Sequence, residues 1–332
     1  LSTFFSIIYH RFEAPLGCNF VSVKNIIISF LKNKVMKRKI NYKTNGHRAD
    51  IGPYIIYRMV SNNYVESVGP FVFLDHIVPT KHSPDEDRKE VNGTGAHPHR
   101  GIATLTYLLK GEGDHNDSRG HHAIVRSGGA QWMKAGNGII HDEVVNVDPE
   151  TKDYITHGFQ FWVNLPAKNK AEPPQYIPVQ ANEIAVKKLA DNSGWLKVVA
   201  GEYEGLTSKI PAYLKQFIFH VHLEAGKSFT LETDKDQEYA ALVALGNVVI
   251  NDNGSEANEL IGFEQEQGTI EIQNNTTETA DIILFGGEPY TEPIVAAGPF
   301  VMNTEHEISQ AYNDFYNGKY GEIKYKQSDN YK

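Results

Sequence analysis

The chain has a single cysteine, Cys18, in 332 residues. That excludes an intramolecular disulfide framework and any zinc site built on thiolates, and it suits a reducing cytoplasm. Positive charge is also scarce: 32 Lys and Arg stand against 41 Asp and Glu, a net charge of -9, with no long basic cluster. Direct binding of nucleic acid therefore lacks its electrostatic footprint. Long apolar runs are missing as well. The two runs near the N-terminus, residues 4–8 and 26–31, fall far short of the ~20 residues needed to cross a bilayer, so no membrane association is expected. What remains is 40% hydrophobic, ordinary for a globular protein with a sizeable core, at a length that suggests two domains.

Histidine is the residue in excess. Nine of the 14 histidines lie between His76 and His157. Within that stretch, His97-Pro98-His99 and His141-Asp142-Glu143 each carry two ligand-type side chains at i, i+2, the spacing that puts both on one face of a strand. Between the pairs runs a series of strands and glycine turns, so the chain can double back and set the second pair opposite the first. Gly136 and Gly138 allow a tight turn into the second ligand strand. The reading is one divalent metal on His97, His99, His141 and Glu143. Imidazole and carboxylate donors accept Fe, Mn, Ni, Cu or Zn, and four protein ligands on an octahedral ion leave two positions for water, dioxygen or a chelating substrate.

The remaining histidines divide by context. His220-Val221-His222 has the same spacing, but the stretch near Leu245-Gly246-Asn247 offers no partner histidine, so a structural role is expected. His115, His121 and His122 lie between the two pairs and are expected more as solvent-facing turn residues than as pocket lining. His76 and His157 sit in apolar contexts and read as core or rim residues, and Trp132 and Met133 as barrel core.

The rest of the pattern is almost wholly β. Short β-branched or aromatic runs at 51–58, 71–74, 102–109, 123–126 and 159–165 are bounded by Gly, Pro, Asn or Asp. A similar series follows at 196–200, 217–223, 239–245, 248–250 and 281–285, which predicts a duplicated β-barrel. Residues 166–178, rich in Lys, Ala and Pro, are the linker candidate, and 78–94 an irregular loop near the mouth of the metal site. Near the end, Thr304-Glu305-His306-Glu307 is a capping box, followed by Ile308, Ala311, Tyr312 and Phe315 at helical spacing and Gly318 as a stop. One terminal helix is expected there.

The first 35 residues differ from the remainder, carrying a charge of +3 against -12 for 36–332. They have no clear secretory pattern, and Met36 reads as a translation start. The expectation is that 1–35 is dispensable.

The segments His97-Pro98-His99-Arg100-Gly101, Tyr107-Leu108-Leu109-Lys110-Gly111, Gln131-Trp132-Met133-Lys134-Ala135 running on through Gly138 to His141-Asp142-Glu143, and residues 298–304 together resemble the pirin family of bicupins. The resemblance extends from about Met36 to about Ile323. It implies an all-β fold of two cupin (double-stranded β-helix) barrels face to face with a short C-terminal helix. The domains would then be 36–166, holding the metal, and 179–332, without one, with 1–35 outside the family. It also implies iron(II) on His97, His99, His141 and Glu143. The usual cupin glutamate after His-x-His is absent, Ala103 standing there, and the later Glu143 takes its place. The implied activity is that of a quercetin 2,3-dioxygenase, a flavonol being opened by dioxygen with release of carbon monoxide and Glu143 taking the 3-hydroxyl proton. Other members act as iron-containing regulators that bind a protein partner, and that reading stands as the alternative.

Overall fold

In the computed structural model, the described residues are 36–51, 54–61, 65–86 and 88–325. The expectation that 1–35 is dispensable lies outside them.

Four antiparallel sheets carry the fold. The first seven-stranded sheet runs, in spatial order, Gln175–Val179, Ala130–Lys134, Ile102–Lys110, Ile155–Asn164, Phe71–Lys81, Ile56–Val60 and His47–Arg48. Opposite it lies a four-stranded sheet of His97–His99, Ile139–Asn146, Glu112–Asp117 and His122–Val125. The second half repeats the plan. Its seven-stranded sheet runs Ile40–Thr44, Leu260–Phe263, Glu238–Leu245, Ala280–Gly287, Gln216–Leu223, Gly194–Ala200 and Ala185–Lys188, and its four-stranded sheet Ser228–Thr233, Gly268–Gln273, Val248–Ile250 and Asn253–Ser255. The duplicated barrel expected from the strand spacing is thus present.

Alternation along the strands separates three interiors. Leu74, Leu105, Phe159 and Phe161 of the first large sheet pack against Ile218, Leu242, Ile283 and Phe285 of the second, so the two large sheets are joined face to face by an apolar core. The second barrel is filled by Phe219, Val221, Val243, Ile261, Ile272 and Leu284. The first barrel instead presents polar groups from its strands, and these make the site described below.

Sheet membership does not follow chain order. Ile40–Thr44 pairs with Leu260–Phe263 in the second half, and Gln175–Val179 pairs with Ala130–Lys134 in the first. Part of the linker candidate 166–178 is therefore strand. Tyr176 and Ile177 supply the apolar contacts, and Pro178, which cannot donate to a ladder, is tolerated because this is an edge strand. The loop expected from 78 begins only after Lys81, where the long strand Phe71–Lys81 ends.

The terminal helix spans Glu305–Tyr316. The Thr304 side chain accepts from the Glu307 N–H, the Glu307 carboxylate accepts from the Asn303 N–H, and Gly318 follows at a positive φ of 70°. Ile308 and Ala311 are buried against Phe300, Met302 and Tyr320. No helix among the described residues is long and apolar enough to cross a membrane.

Candidate metal centre

The two ligand strands are neighbours. His97–His99 pairs with Ile139–Asn146 so that His97 faces His141 and His99 faces Ile139. On its other side the same strand pairs with Glu112–Asp117, setting Glu143 opposite His115 and His141 opposite Asp117. Gly138 makes the entry turn at φ 123°, and a Cβ there would stand 2.1 Å from the Tyr320 ring. No other residue fits that turn.

Three imidazoles converge as the spacing predicts. Ligand atoms of His97, His99 and His141 all lie within 4.8 Å of one another, and the Nε2 atoms of His97 and His141 are 3.0 Å apart. That separation is what two nitrogens at ~2.1 Å from one ion at right angles would show. His97 Nδ1 donates to the Gly95 carbonyl at 2.7 Å, and His99 Nδ1 donates to the Pro299 carbonyl at 3.1 Å. A carbonyl can only accept, so each ring carries its proton on Nδ1 and offers a bare Nε2 to the cluster. His141 is fully buried, and its Nδ1 has no partner among the described residues. Burial, reinforced by the neighbouring His97, lowers His99 to about 3, and burial with His97, His99 and His115 lowers His141 well below the usual value. Neutral imidazoles of this kind are metal donors rather than cations.

Glu143 stands in a second, overlapping group with His115 and His141. Its two carboxylate oxygens accept from Gln131 Nε2 at 2.8 Å and Gln160 Nε2 at 3.0 Å. Those amides are held in turn: Gln131 Oε1 accepts from the Tyr176 hydroxyl at 2.8 Å, and Gln160 Oε1 accepts from Thr106. Nitrogen and carboxylate donors of this kind suit a divalent ion, with Glu143 grouped with His141 and His115 rather than with His97 and His99.

His115 departs from expectation. It is buried rather than solvent-facing, with its ring stacked on Tyr176 at 4.1 Å and its Nε2 3.3 Å from Asp117. The cause is the strand Glu112–Asp117, whose six residues are all buried although every one but Gly113 is polar or charged. Composition hid that strand. His121 and His122 do lie nearer the surface, paired with Asp117 at 2.8 Å and Asp114 at 3.1 Å. Burial would raise Asp117, but hydrogen bonds from His115 and His121 outweigh it and hold this carboxyl below its ordinary range.

The other pair, His220 and His222, is turned away from the second barrel, because Phe219 and Val221 fill that interior. His220 Nδ1 meets the Tyr107 hydroxyl at 2.8 Å across the inter-sheet core, and Asp281 bonds both rings at 2.9 and 2.7 Å. His76 and His157 form another buried pair, Nε2 to Nε2 at 3.0 Å, with His76 Nδ1 on Asn258 Oδ1 at 2.9 Å. Trp132 and Met133 are core, as expected.

Several neighbours carried no recognisable signal. Trp162 sets its ring against His99, centroid to centroid 5.0 Å, and stacks on Phe73 at 4.3 Å. Both rings line a cleft of about 990 Å³ that also includes Ile51, Ile294 and Val301. Asp142, between two ligand candidates but on the opposite face, accepts from the Gly93 N–H at 2.7 Å and the Tyr325 hydroxyl at 3.0 Å. The ligand turn is tied to the C-terminal segment by Arg100 on Asp314 at 2.7 Å and by Lys170, which donates to the carbonyls of Gly101 and Val301.

Comparison with known proteins gives the family and agrees with the two-barrel fold. Residues 55–163 match the family model described as pirin, and 218–321 match the pirin C-terminal cupin domain. A Pseudomonas aeruginosa protein provisionally named quercetin 2,3-dioxygenase is 31% identical over 287 residues, covering 86% of this chain and 99% of its own. A pirin-like protein of Caulobacter vibrioides is 33% identical over 266 residues, covering 79% of this chain and 91% of its own. Among solved structures, a quercetin 2,3-dioxygenase from Acinetobacter baumannii superposes with a TM-score of 0.77 at 32% identity, covering 87% of this chain and all of that one.

Proposed function

The chain belongs to the pirin family, and from that premise we propose that it holds one divalent ion, iron(II) by preference, on His97, His99, His141 and Glu143 and opens a flavonol with dioxygen. The observation that carries this reading is the convergence of three imidazoles, two of them held through Nδ1 by backbone carbonyls so that Nε2 faces the cluster. A bound ion would supply Lewis acidity toward the flavonol 3-hydroxyl and a point of entry for dioxygen.

The protein's own part is positional and acid–base. Glu143 would accept the 3-hydroxyl proton, and the amides of Gln131 and Gln160 fix where its oxygens lie. Trp162 would join the centre to the cleft beside it, packing edge-on against His99 while stacking on Phe73, whose ring also carries the Arg58 guanidinium at 4.3 Å. The single cysteine is consistent with action in the cytoplasm.

The test is metal analysis of the purified protein followed by quercetin consumption under air and under nitrogen. Oxygen-dependent consumption that disappears in His141→Ala supports the enzyme. Bound iron with no turnover of any flavonol supports the second reading, a metal-dependent redox sensor that binds a protein partner. One observation favours that alternative: the His99 ring is held by Pro299, so a change at the metal reaches the C-terminal segment directly.

A further inference from the structure

A second large cavity belongs to the C-terminal barrel and shares no lining residue with the metal centre or its cleft. It measures about 910 Å³ and lies between the hairpin formed by Glu202–Tyr203 and Leu206–Thr207 and the edge strand Ser228–Thr233. Small-molecule sites occupy roughly 300–1,000 Å³. Its wall is aromatic: Phe217 and Phe219 lie 4.7 Å apart, Tyr203 meets Phe219 edge-on at 5.4 Å, and Tyr239 packs on Phe217 at 5.1 Å.

The charges around this wall are unequally satisfied. Lys209 is paired with Glu183 at 2.6 Å, Lys215 with Asp234 at 3.3 Å, and Glu204 with Lys187 at 2.8 Å. Glu202 and Glu232 line the same cavity and make no ion pair among the described residues. Gln216, also in the lining and 5% exposed, has an Oε1 with no hydrogen-bond partner among the described residues. Unused acceptors and negative charge beside ring faces describe one kind of guest. Ring faces attract cations, carboxylates attract them further, and a buried amide oxygen left unpaired is costly until a donor reaches it.

We propose that this cavity is a binding site for a cationic arylalkylamine, its ring against Phe217, Phe219 and Tyr203 and its ammonium group toward Glu202 and Glu232. The site is independent of the metal and of the reaction proposed above. Three indoles that differ only in side-chain charge test it by calorimetric titration of the full chain: tryptamine, its neutral alcohol tryptophol, and the anion indole-3-acetate.

Tryptamine should bind at one site per chain and at least about tenfold more tightly than indole-3-acetate, a gap that narrows as salt is added. The double variant Glu202→Gln with Glu232→Gln, both at exposed positions where folding is undisturbed, should bring tryptamine down to the affinity of tryptophol. His99→Ala should leave tryptamine binding unchanged. Equal affinity for the three probes, no binding of tryptamine, unaltered selectivity in the double variant, or loss of binding in His99→Ala would each overturn the proposal. The last outcome would place the amine at the metal centre instead.

Discussion

His99 donates from Nδ1 to the carbonyl oxygen of Pro299, 200 residues further along the chain and 3.1 Å away. The tautomer of a ligand-type histidine in the first barrel is therefore set by the segment that leads into the terminal helix. Arg100 and Lys170 brace the same junction, so the two halves are joined beside the candidate centre.

Metal content should separate the two His-x-His pairs. His97→Ala, His99→Ala and His141→Ala should each lower bound metal, measured by elemental analysis, and Glu143→Ala should do so too. His220→Ala should keep full occupancy, because its ring is committed to Tyr107 and Asp281. Equal loss in all five variants would mean that the ligand assignment is wrong.

The amides behind Glu143 should matter without touching the ion. Gln131→Met or Gln160→Met removes a donor from the carboxylate while keeping side-chain length. Loss of such an outer hydrogen bond costs about 10- to 100-fold in metal affinity. Chelator competition reads this directly, and unchanged affinity in both variants would argue against Glu143 as a ligand.

Acid should weaken the fold through a pair remote from the metal. Burial lowers His76 to about 4, and burial together with His76 lowers His157 to about 3, whereas both titrate near 6.5 when unfolded. Between those values the unfolded chain binds more protons than the folded one, so stability falls as pH drops from about 6.5 toward the folded values and is flat above. Denaturant midpoints from pH 8 to 5 should show this slope. Burial lowers His99, His141 and His220 too and adds to the same slope, so His157→Phe should make it shallower, and an unchanged slope in that variant would exclude the pair as a source.

Lys170 should prove structural. It is 3% exposed and donates to Gly101 O, Val301 O and Asn164 Oδ1, so Lys170→Met takes a donor from three acceptors, of which Gly101 O keeps the Leu165 N–H. The loss is about 2–4 kcal/mol in urea unfolding. A variant as stable as the parent would show that these acceptors find other donors.

Much of the site is written in local spacing. An i, i+2 pair shares a strand face whatever surrounds it, so the pairing of His97 with His99 and of His141 with Glu143 follows from the order of residues alone. The same holds for the terminal helix, whose cap and stripe lie within 15 residues. Strand existence follows from β-branched runs, but Glu112–Asp117 escapes that signal because its burial rests on partners such as Arg126, His121 and His122, brought by other segments.

Register and face are different in kind, since they depend on which strands meet. Two His-x-His pairs with identical local pattern end in opposite settings: one points into a polar barrel, and the other is turned out by Phe219 and Val221. Only the packed sheets could decide that, and only they could bring His115, Gln131, Gln160 and the Pro299 carbonyl to the candidate ligands. Spacing along a chain names the donors that can share a face. Which face becomes a site is settled by long-range contacts that fill one barrel with hydrocarbon and leave imidazole and carboxylate in the other.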